Sequence, residues 1–230
     1  MNKKFLGLAF VLALFFSSAT GFLPGNSAAW TFNGGIPVPV LLPVIAIGSD
    51  GNINPETTFI SRTGNTCTLT DNIEEHPIAI ECSNIIFDGA GYNLTISTGD
   101  NVGLELNNVS NVTVKNISVF SSNIYTINLN YCFNCVIAGV RTNDYLTISG
   151  DFNTVTKSII RLGILKGSNN LVCRNTIELL HIYGYYEFNS HSNILYENNF
   201  LSNTSTKQID DISYIIDSPN LLDNGSIGNY

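Results

Sequence analysis

The chain has 230 residues, of which 12% are charged and 44% hydrophobic, and its formal net charge is −8. This length suits one domain or at most two, and the acidic balance excludes a generally basic nucleic-acid binder. Asparagine occurs 31 times and isoleucine 27 times, against one Met and one Trp. Because Asn favours turns over helices and Ile favours strands, the composition predicts an all-β chain with many short, Asn-rich turns.

The N-terminus has the pattern of an export signal. Lys3 and Lys4 precede an apolar run at residues 5–16, and the small residues 17–19 follow it. This order is typical of a secretory signal peptide, which we place at residues 1–29 because a second possible cleavage point follows Ala29; the alternative is an uncleaved N-terminal anchor. We therefore expect a secreted or cell-surface protein.

A second apolar stretch, at residues 36–47, contains three prolines. Proline at this density is incompatible with an ordinary membrane helix, so we predict an extended linker that runs into a first strand. Residues 30–65 would form a Pro/Gly-rich lead-in and N-terminal cap, and the mature chain is predicted to have no integral membrane span.

The rest of the chain repeats one phrase, which reads strand, Asn-containing turn, strand. Inward-facing pairs such as Leu104/Leu106 and Ile127/Leu129 alternate with period two, as strands with one buried face require. The asparagines that mark the turns are spaced by 17 to 27 residues; they are Asn84, Asn111, Asn134, Asn153, Asn170, Asn193 and Asn220.

A repeat of this length cannot bury its own apolar face, but stacked repeats can, and this logic predicts a parallel β-helix. We assign residues 66–230 to a single-stranded right-handed parallel β-helix of about seven coils. An antiparallel sandwich or barrel is the alternative, although its turn signals would not recur in a fixed phrase.

Four segments carry a family resemblance. Residues 83–95 (SNIIFDGAGYNLT) resemble the opening coil of pectin-lyase-like β-helix proteins, and more narrowly of the NosD-like group, also called carbohydrate-binding and sugar-hydrolysis (CASH) repeats. Residues 49–57 and 64–73 resemble the lead-in of archaeal exported members. Residues 223–230 are similar to the closing phrase of that group, without its two tryptophans. The resemblance implies the fold, but this superfold hosts lyases, hydrolases, adhesins and accessory proteins.

No compact catalytic phrase is visible, so the catalytic residues are unknown. A glycoside hydrolase needs two carboxylates about 5–9 Å apart, and the possible pairs are Asp144 with Asp151, Asp210 with Asp211, and Asp217 with Asp223. Cys132 and Cys135 form a lone CxxC motif, which lacks the further ligands of a zinc site, and we interpret both as core side chains. Cys67 and Cys82 are a possible disulfide. We predict no metal site and no cofactor.

Charge and aromatic residues suggest a binding surface. Residues 115–174 carry six basic residues against two acidic ones. Lys115, Lys157 and Arg174 each lie four residues past a turn asparagine, so they are predicted to share one outward column, which could bind an anionic polymer or simply limit charge repulsion. Tyr183, Tyr185 and Tyr196 could stack on sugars or fill the interior.

The function that we predict is an exported β-helix recognition module, non-catalytic, for a polysaccharide or another cell-surface glycan. One alternative is a polysaccharide lyase or glycoside hydrolase of the same superfold. The other is a structural protein of the cell surface.

Overall fold

The computed structural model describes residues 43–97, 102–122, 125–183, 190–201 and 229, together with the backbone of strands at 28–33, 36–41 and 209–211. Within these residues the chain is all-β, as the composition predicts, and it contains no helix. Accordingly, no helix of the described residues is long and apolar enough to cross a membrane.

The strands are short. The first twelve are β1 (Ala28–Asn33), β2 (Ile36–Leu41), β3 (Ile45–Ile47), β4 (Ile53–Asn54), β5 (Ile60–Thr63), β6 (Thr66–Leu69), β7 (Ile73–Glu74), β8 (Ile78–Ile80), β9 (Ile86–Asp88), β10 (Asn93–Ile96), β11 (Leu104–Asn107) and β12 (Thr113–Lys115). The remainder are β13 (Ser118–Ser121), β14 (Tyr125–Asn130), β15 (Val136–Ala138), β16 (Arg141–Thr142), β17 (Tyr145–Ser149), β18 (Thr154–Thr156), β19 (Ile159–Lys166), β20 (Leu171–Cys173), β21 (Thr176–Ile182), β22 (Ile194–Tyr196), β23 (Asn199–Phe200) and β24 (Ile209–Asp211).

Most of these strands pair in parallel with strands about 20 residues away, and they form three stacks. Stack 1 contains β3, β8, β11, β14, β17, β19, β21 and β24. Stack 2 contains β7, β10, β13, β16, the beginnings of β19 and β21, and β23. Stack 3 contains β6, β9, β12, β15, β18, β20 and β22.

The chain visits the stacks in a fixed order, from stack 3 to stack 2 to stack 1 and then back to stack 3. We call one such passage a coil. Parallel pairing between successive coils is compatible with a β-helix, and it contradicts the antiparallel alternative for this part of the chain.

The core lies between the three stacks. Leu104 and Leu106 pair with Ile127 and Leu129, and all four are fully buried. The alternating pairs that the sequence suggests therefore do share one interior face. Residues of stacks 2 and 3 complete this core; for example, Val155 pairs with Val172, and Ile160 pairs with Ile177.

The lead-in pairs differently from the coils. β1 and β2 form an antiparallel hairpin, so the stretch predicted as an extended linker is strand, a conformation that Pro37 and Pro39 permit at a sheet edge. β1 begins at Ala28, inside the predicted signal peptide, whose earlier residues lie outside the described residues. β3 already belongs to stack 1 because it pairs with β8, while β4 and β5 lie antiparallel at the edges of β3 and β6.

The turn asparagines occupy two different positions. Asn84, Asn111 and Asn134 are exposed and have left-handed backbone conformations, with φ between 55° and 61°. The residues that match them in the next coils are Phe152, Asn169 and Ser192, also left-handed. Asn153, Asn170 and Asn193 instead lie one position later and are buried. The predicted landmark therefore shifts by one residue between Asn134 and Asn153. Asn220 lies outside the described residues.

The shift has a structural cause. In the turn after β14, two residues separate the left-handed Tyr131 and Asn134, but after β17 a single residue, Asp151, separates Gly150 from Phe152. The shorter turn removes one inward-facing side chain. The buried asparagine compensates because its amide reaches the backbone that this side chain would cover: Asn153 Nδ2 donates to the carbonyl oxygen of Cys132 at 3.1 Å.

Candidate recognition surface

The basic column predicted from spacing divides into two. Lys115 lies in stack 3 between Asp88 and Ala138, and this row continues with Thr156 rather than Lys157. Lys157, Arg174 and Glu197 belong to the next position along the chain, where all three have φ between 52° and 60°. The prediction of one column was wrong because it counted from turn asparagines that are not structurally equivalent.

Two of the three predicted binding cations are neutralised by neighbours. Lys115 Nζ lies 2.9 Å from Asp88 Oδ2, and the Arg174 guanidinium is hydrogen-bonded to Glu197. Arg161, from the same basic segment, lies between Asp144 and Glu178, 3.5 Å from each. Three of the six basic residues in this segment therefore have carboxylate partners, so the segment does not form a continuous positive strip.

Asp88 shows how firmly one of these pairs is held. Partial burial raises the pKa of its carboxyl, but hydrogen bonds from the Ala90 N–H, Lys115 and Asn116 outweigh burial and hold the pKa below its ordinary value. The carboxylate is therefore charged at neutral pH and remains available to Lys115. An anionic ligand would have to displace it to reach that ammonium group.

The predicted tyrosines do not form one cluster. Tyr183 follows β21 of stack 1, and its ring lies 5.8 Å from that of His181. Tyr196 lies in β22 of stack 3, where Cys173 raises the pKa of its hydroxyl. Tyr185 lies outside the described residues. Tyr183 and Tyr196 are both half-buried and belong to different stacks, so they do not present a shared face.

Another group of aromatic residues is exposed together. Tyr131, Phe133 and Phe152 are 75%, 50% and 49% exposed, and the rings of Phe133 and Phe152 lie 5.1 Å apart in neighbouring coils. We call these three residues the aromatic corner. They lie at the turns that lead from stack 1 into stack 3.

A row of amide side chains runs into the aromatic corner. Asn134 Nδ2 donates to Asn111 Oδ1 at 2.6 Å, and Asn111 Nδ2 donates to Asn84 Oδ1 at 3.0 Å. We call these three residues the outer amide ladder. Phe152 occupies the position that would continue it in the next coil. The corner thus joins exposed rings to a row of fixed, solvent-facing amide groups.

The aromatic corner is held in a costly backbone conformation. Tyr131 and Phe152 have φ of 51° and 58°, and the left-handed region costs a side chain roughly 1–2 kcal/mol, less for Asn. The matching residue of the preceding coil is Asn108 for Tyr131 and Asn134 for Phe152. Bulky rings therefore stand where asparagine would fit at lower cost, and such strain is concentrated at functional sites.

Sequence reasoning missed the aromatic corner, although a signal was present. Residues 131–135 read YCFNC. With both cysteines buried, the residues between and before them must face solvent, which identifies Tyr131 and Phe133 as exposed. Phe152 could not be placed beside them without knowing that the turn shortens by one residue.

The predicted carboxylate pairs show no catalytic arrangement in the described residues. Asp144 precedes β17 and Asp151 follows it, so the strand separates them by about 20 Å, beyond the range for glycoside hydrolysis. Asp210 and Asp211 are neighbours in β24, and Asp217 and Asp223 lie outside the described residues. Among the residues described, no group of three or more His, Cys, Asp or Glu side chains could hold a metal ion.

All five cysteines are free, buried thiols in the structure, including Cys67 and Cys82, the pair that the sequence suggests as a disulfide. Burial raises the pKa of both, and the neighbouring Cys67 adds to the effect at Cys82. Neither thiol is therefore a nucleophile at neutral pH.

Comparison of the chain with protein-family models, with curated proteins and with solved structures gives no match.

Proposed function

We propose that this protein is a secreted or cell-surface recognition module that binds carbohydrate at the aromatic corner without transforming it. The single observation that carries the proposal is the exposed group of Tyr131, Phe133 and Phe152 beside the outer amide ladder. The NosD-like resemblance of the sequence and its predicted signal peptide support the same reading.

The scaffold of this module would be a right-handed parallel β-helix of about seven coils. Stack 3 supports the count, because the described residues place seven parallel strands in it, from β6 to β22. The general preference of parallel β-crossovers for right-handed connections supports the hand.

Sugar chemistry favours this combination of groups. The face of a pyranose ring is apolar and its rim carries hydroxyl groups, so a site needs exposed apolar rings next to fixed hydrogen-bonding groups. Aromatic residues in the corner offer the first, and tyrosine adds a polar tip. The asparagines of the ladder offer the second, since each amide can both donate and accept hydrogen bonds.

Local charge favours a neutral glycan over an acidic one. Lys115 and Arg174 already have carboxylate partners, and displacing Asp88 or Glu197 would cost an acidic ligand part of its binding free energy. We therefore expect binding to change little with added salt, because screening acts chiefly on interactions between exposed charges.

The test exchanges the corner for the residue types of the coil before it. The variant Tyr131→Asn, Phe133→Ser, Phe152→Asn installs the residue found one coil earlier at each position, which is Asn108, Ser110 and Asn134 respectively. Screening on a glycan array, followed by titration of the best ligand, should show at least a tenfold loss of affinity in this variant. Its thermal unfolding midpoint should be no lower than that of the wild type, because asparagine adopts the left-handed conformation at lower cost.

Two controls separate this proposal from its rivals. The variant Lys115→Ala, Lys157→Ala, Arg174→Ala should bind the same glycan as the wild type; a loss confined to this variant would transfer the site to the basic residues. Turnover assays on each array hit should yield no product. Product formation by the wild type would replace the binding module with a lyase or hydrolase.

A further inference from the structure

The CxxC motif lies in the turn that carries the aromatic corner. Cys132 and Cys135 follow β14 and precede β15, and they are 1% and 0% exposed. Their neighbours Tyr131, Phe133 and Asn134 are exposed. The turn thus places two sulfur atoms inside and three recognition residues outside.

Both side chains enter the core from the same turn, with two residues between them. They are close enough to interact, since a hydrogen bond with Cys132 lowers the pKa of Cys135. Their other polar neighbours are backbone carbonyl oxygens, those of Leu106 and Asn130 for Cys132 and those of Val109 and Phe133 for Cys135, at 3.4–3.8 Å. No charged group or further thiol is among these contacts.

Packing alone does not require cysteine here. In the preceding coil the same two inward positions hold Val109 and Val112, which are also buried. A pair of apolar side chains therefore fits this layer of the core. What cysteine adds at these positions is two interacting thiols in one buried turn.

We propose that Cys132 and Cys135 form an intrachain disulfide when the chain folds under oxidising conditions. The thiolate of Cys135 attacks one sulfur of a small-molecule disulfide and displaces one thiolate. Cys132, as its thiolate, then attacks the Cys135 sulfur of the mixed disulfide and displaces the second. The cysteine pair loses two protons and two electrons, and the small disulfide is reduced to two thiols.

The electrostatics of the pair agree with this order of attack. The hydrogen bond from Cys132 lowers the pKa of Cys135, although burial of that sulfur acts in the opposite direction. Since both sulfur atoms are buried in the folded chain, the reaction belongs to folding or to a local opening of this turn. Once formed, the bond closes the turn beneath Tyr131 and Phe133 and fixes their positions.

Trypsin separates the five cysteines into three peptides, which makes the test direct. Residues 63–115 contain Cys67 and Cys82, residues 116–141 contain Cys132 and Cys135, and residues 167–174 contain Cys173. The chain is refolded with reduced and oxidised glutathione, denatured with iodoacetamide but without reductant, digested and analysed by mass spectrometry.

We expect peptide 116–141 to be unlabelled and about 2 Da lighter than its reduced form, the mass of two hydrogen atoms. Peptide 167–174 should carry one label and serves as the internal control. Peptide 63–115 tests the Cys67–Cys82 pairing independently. Two labels on peptide 116–141, in protein that unfolds cooperatively, would overturn the proposal.

A second variant guards against a folding artefact. Cys132→Val with Cys135→Val reproduces Val109 and Val112 and should fold. Its melting temperature should equal that of the wild type in reductant and lie below that of the oxidised wild type. If the reduced and oxidised wild type melt alike and peptide 116–141 is labelled in both, no disulfide forms at this site.

Discussion

At the scale of single residues, asparagine has two different structural roles in this protein. In the outer amide ladder it is exposed to solvent, adopts a left-handed backbone conformation, and hydrogen-bonds to the asparagine side chain of the neighbouring coil. One position later it is buried and replaces an apolar side chain. Asn170 shows the second role: its Oδ1 accepts from the Asn153 N–H at 2.8 Å, and its Nδ2 donates to the Gly150 carbonyl at 3.0 Å.

Asn170→Ala should therefore be strongly destabilising. It leaves a buried N–H and a partly buried C=O without partners, and each such group costs roughly 1–3 kcal/mol when it is buried. We therefore expect a loss of about 2–4 kcal/mol in the free energy of unfolding, measured by urea denaturation. The matched change Asn111→Ala removes an exposed amide from a left-handed turn and should cost only about 1 kcal/mol. Equal losses would show that the buried position has no special role.

At the scale of elements, the turn from stack 1 to stack 3 is the feature that distinguishes the two halves of the molecule. Its shortened form brings the backbone of one coil against the next at Gly150, which has φ of 137°. A Cβ added there would lie 1.9 Å from the Cys132 carbonyl oxygen. The shortened turn thus requires glycine at position 150. It also requires the buried asparagine, which hydrogen-bonds to the backbone groups of the turn before it.

Gly150→Ala should accordingly disrupt this turn, because the clash is with backbone that cannot rotate away. We expect a loss of more than about 3 kcal/mol, at the upper end of single-site effects. Gly91→Ala provides the comparison, since Gly91 also has positive φ, 88°, but open space around it, and it should lose only about 1 kcal/mol. Thermal unfolding of both variants decides the matter, and similar melting points would contradict the steric account.

The repeat could be read from the sequence at this scale, but its register could not. Period-two pairs such as Leu104/Leu106 identify inward faces whatever the turns do, so the strands and the interior were predicted correctly. The spacing of Asn134 and Asn153 does not reveal which part of the coil has lost a residue. Because of that ambiguity, the prediction put Lys157 and Arg174 in the same column as Lys115. For the same reason it did not show that Phe133 and Phe152 lie close together.

At the scale of the whole molecule, stability is distributed along a stack in which each coil contacts chiefly its neighbours. The last described contact at the C-terminal end comes from Asn229, whose Oδ1 accepts from the Asn198 backbone N–H at 3.2 Å and whose Nδ2 donates to the Leu195 carbonyl at 3.1 Å. This residue belongs to the closing phrase that the sequence suggests, and it continues the row formed by Asn175 and Asn198.

Asn229→Ala should loosen the end of the stack and leave its middle unchanged. Amide hydrogen exchange should speed up at Asn198 and its neighbours, since that N–H loses its acceptor, while Leu106 and Leu129 keep their protection. Asn199→Ala, at the exposed neighbour of Asn198, should change neither region. Faster exchange throughout the chain would instead indicate that the coils unfold as one cooperative unit.

Because of the buried asparagines, a further coil could be added to this part of the molecule. Asn153 and Asn170 bond to the coil before them in the same way: the amide nitrogen donates to a backbone carbonyl oxygen, and the amide oxygen accepts from a backbone N–H. The 17 residues 154–170 therefore begin directly after one such asparagine and end at the next. A tandem copy of that segment would present the same amide to each neighbour and require no new turn. The stack of coils could thus be lengthened by one coil without a change in the aromatic corner.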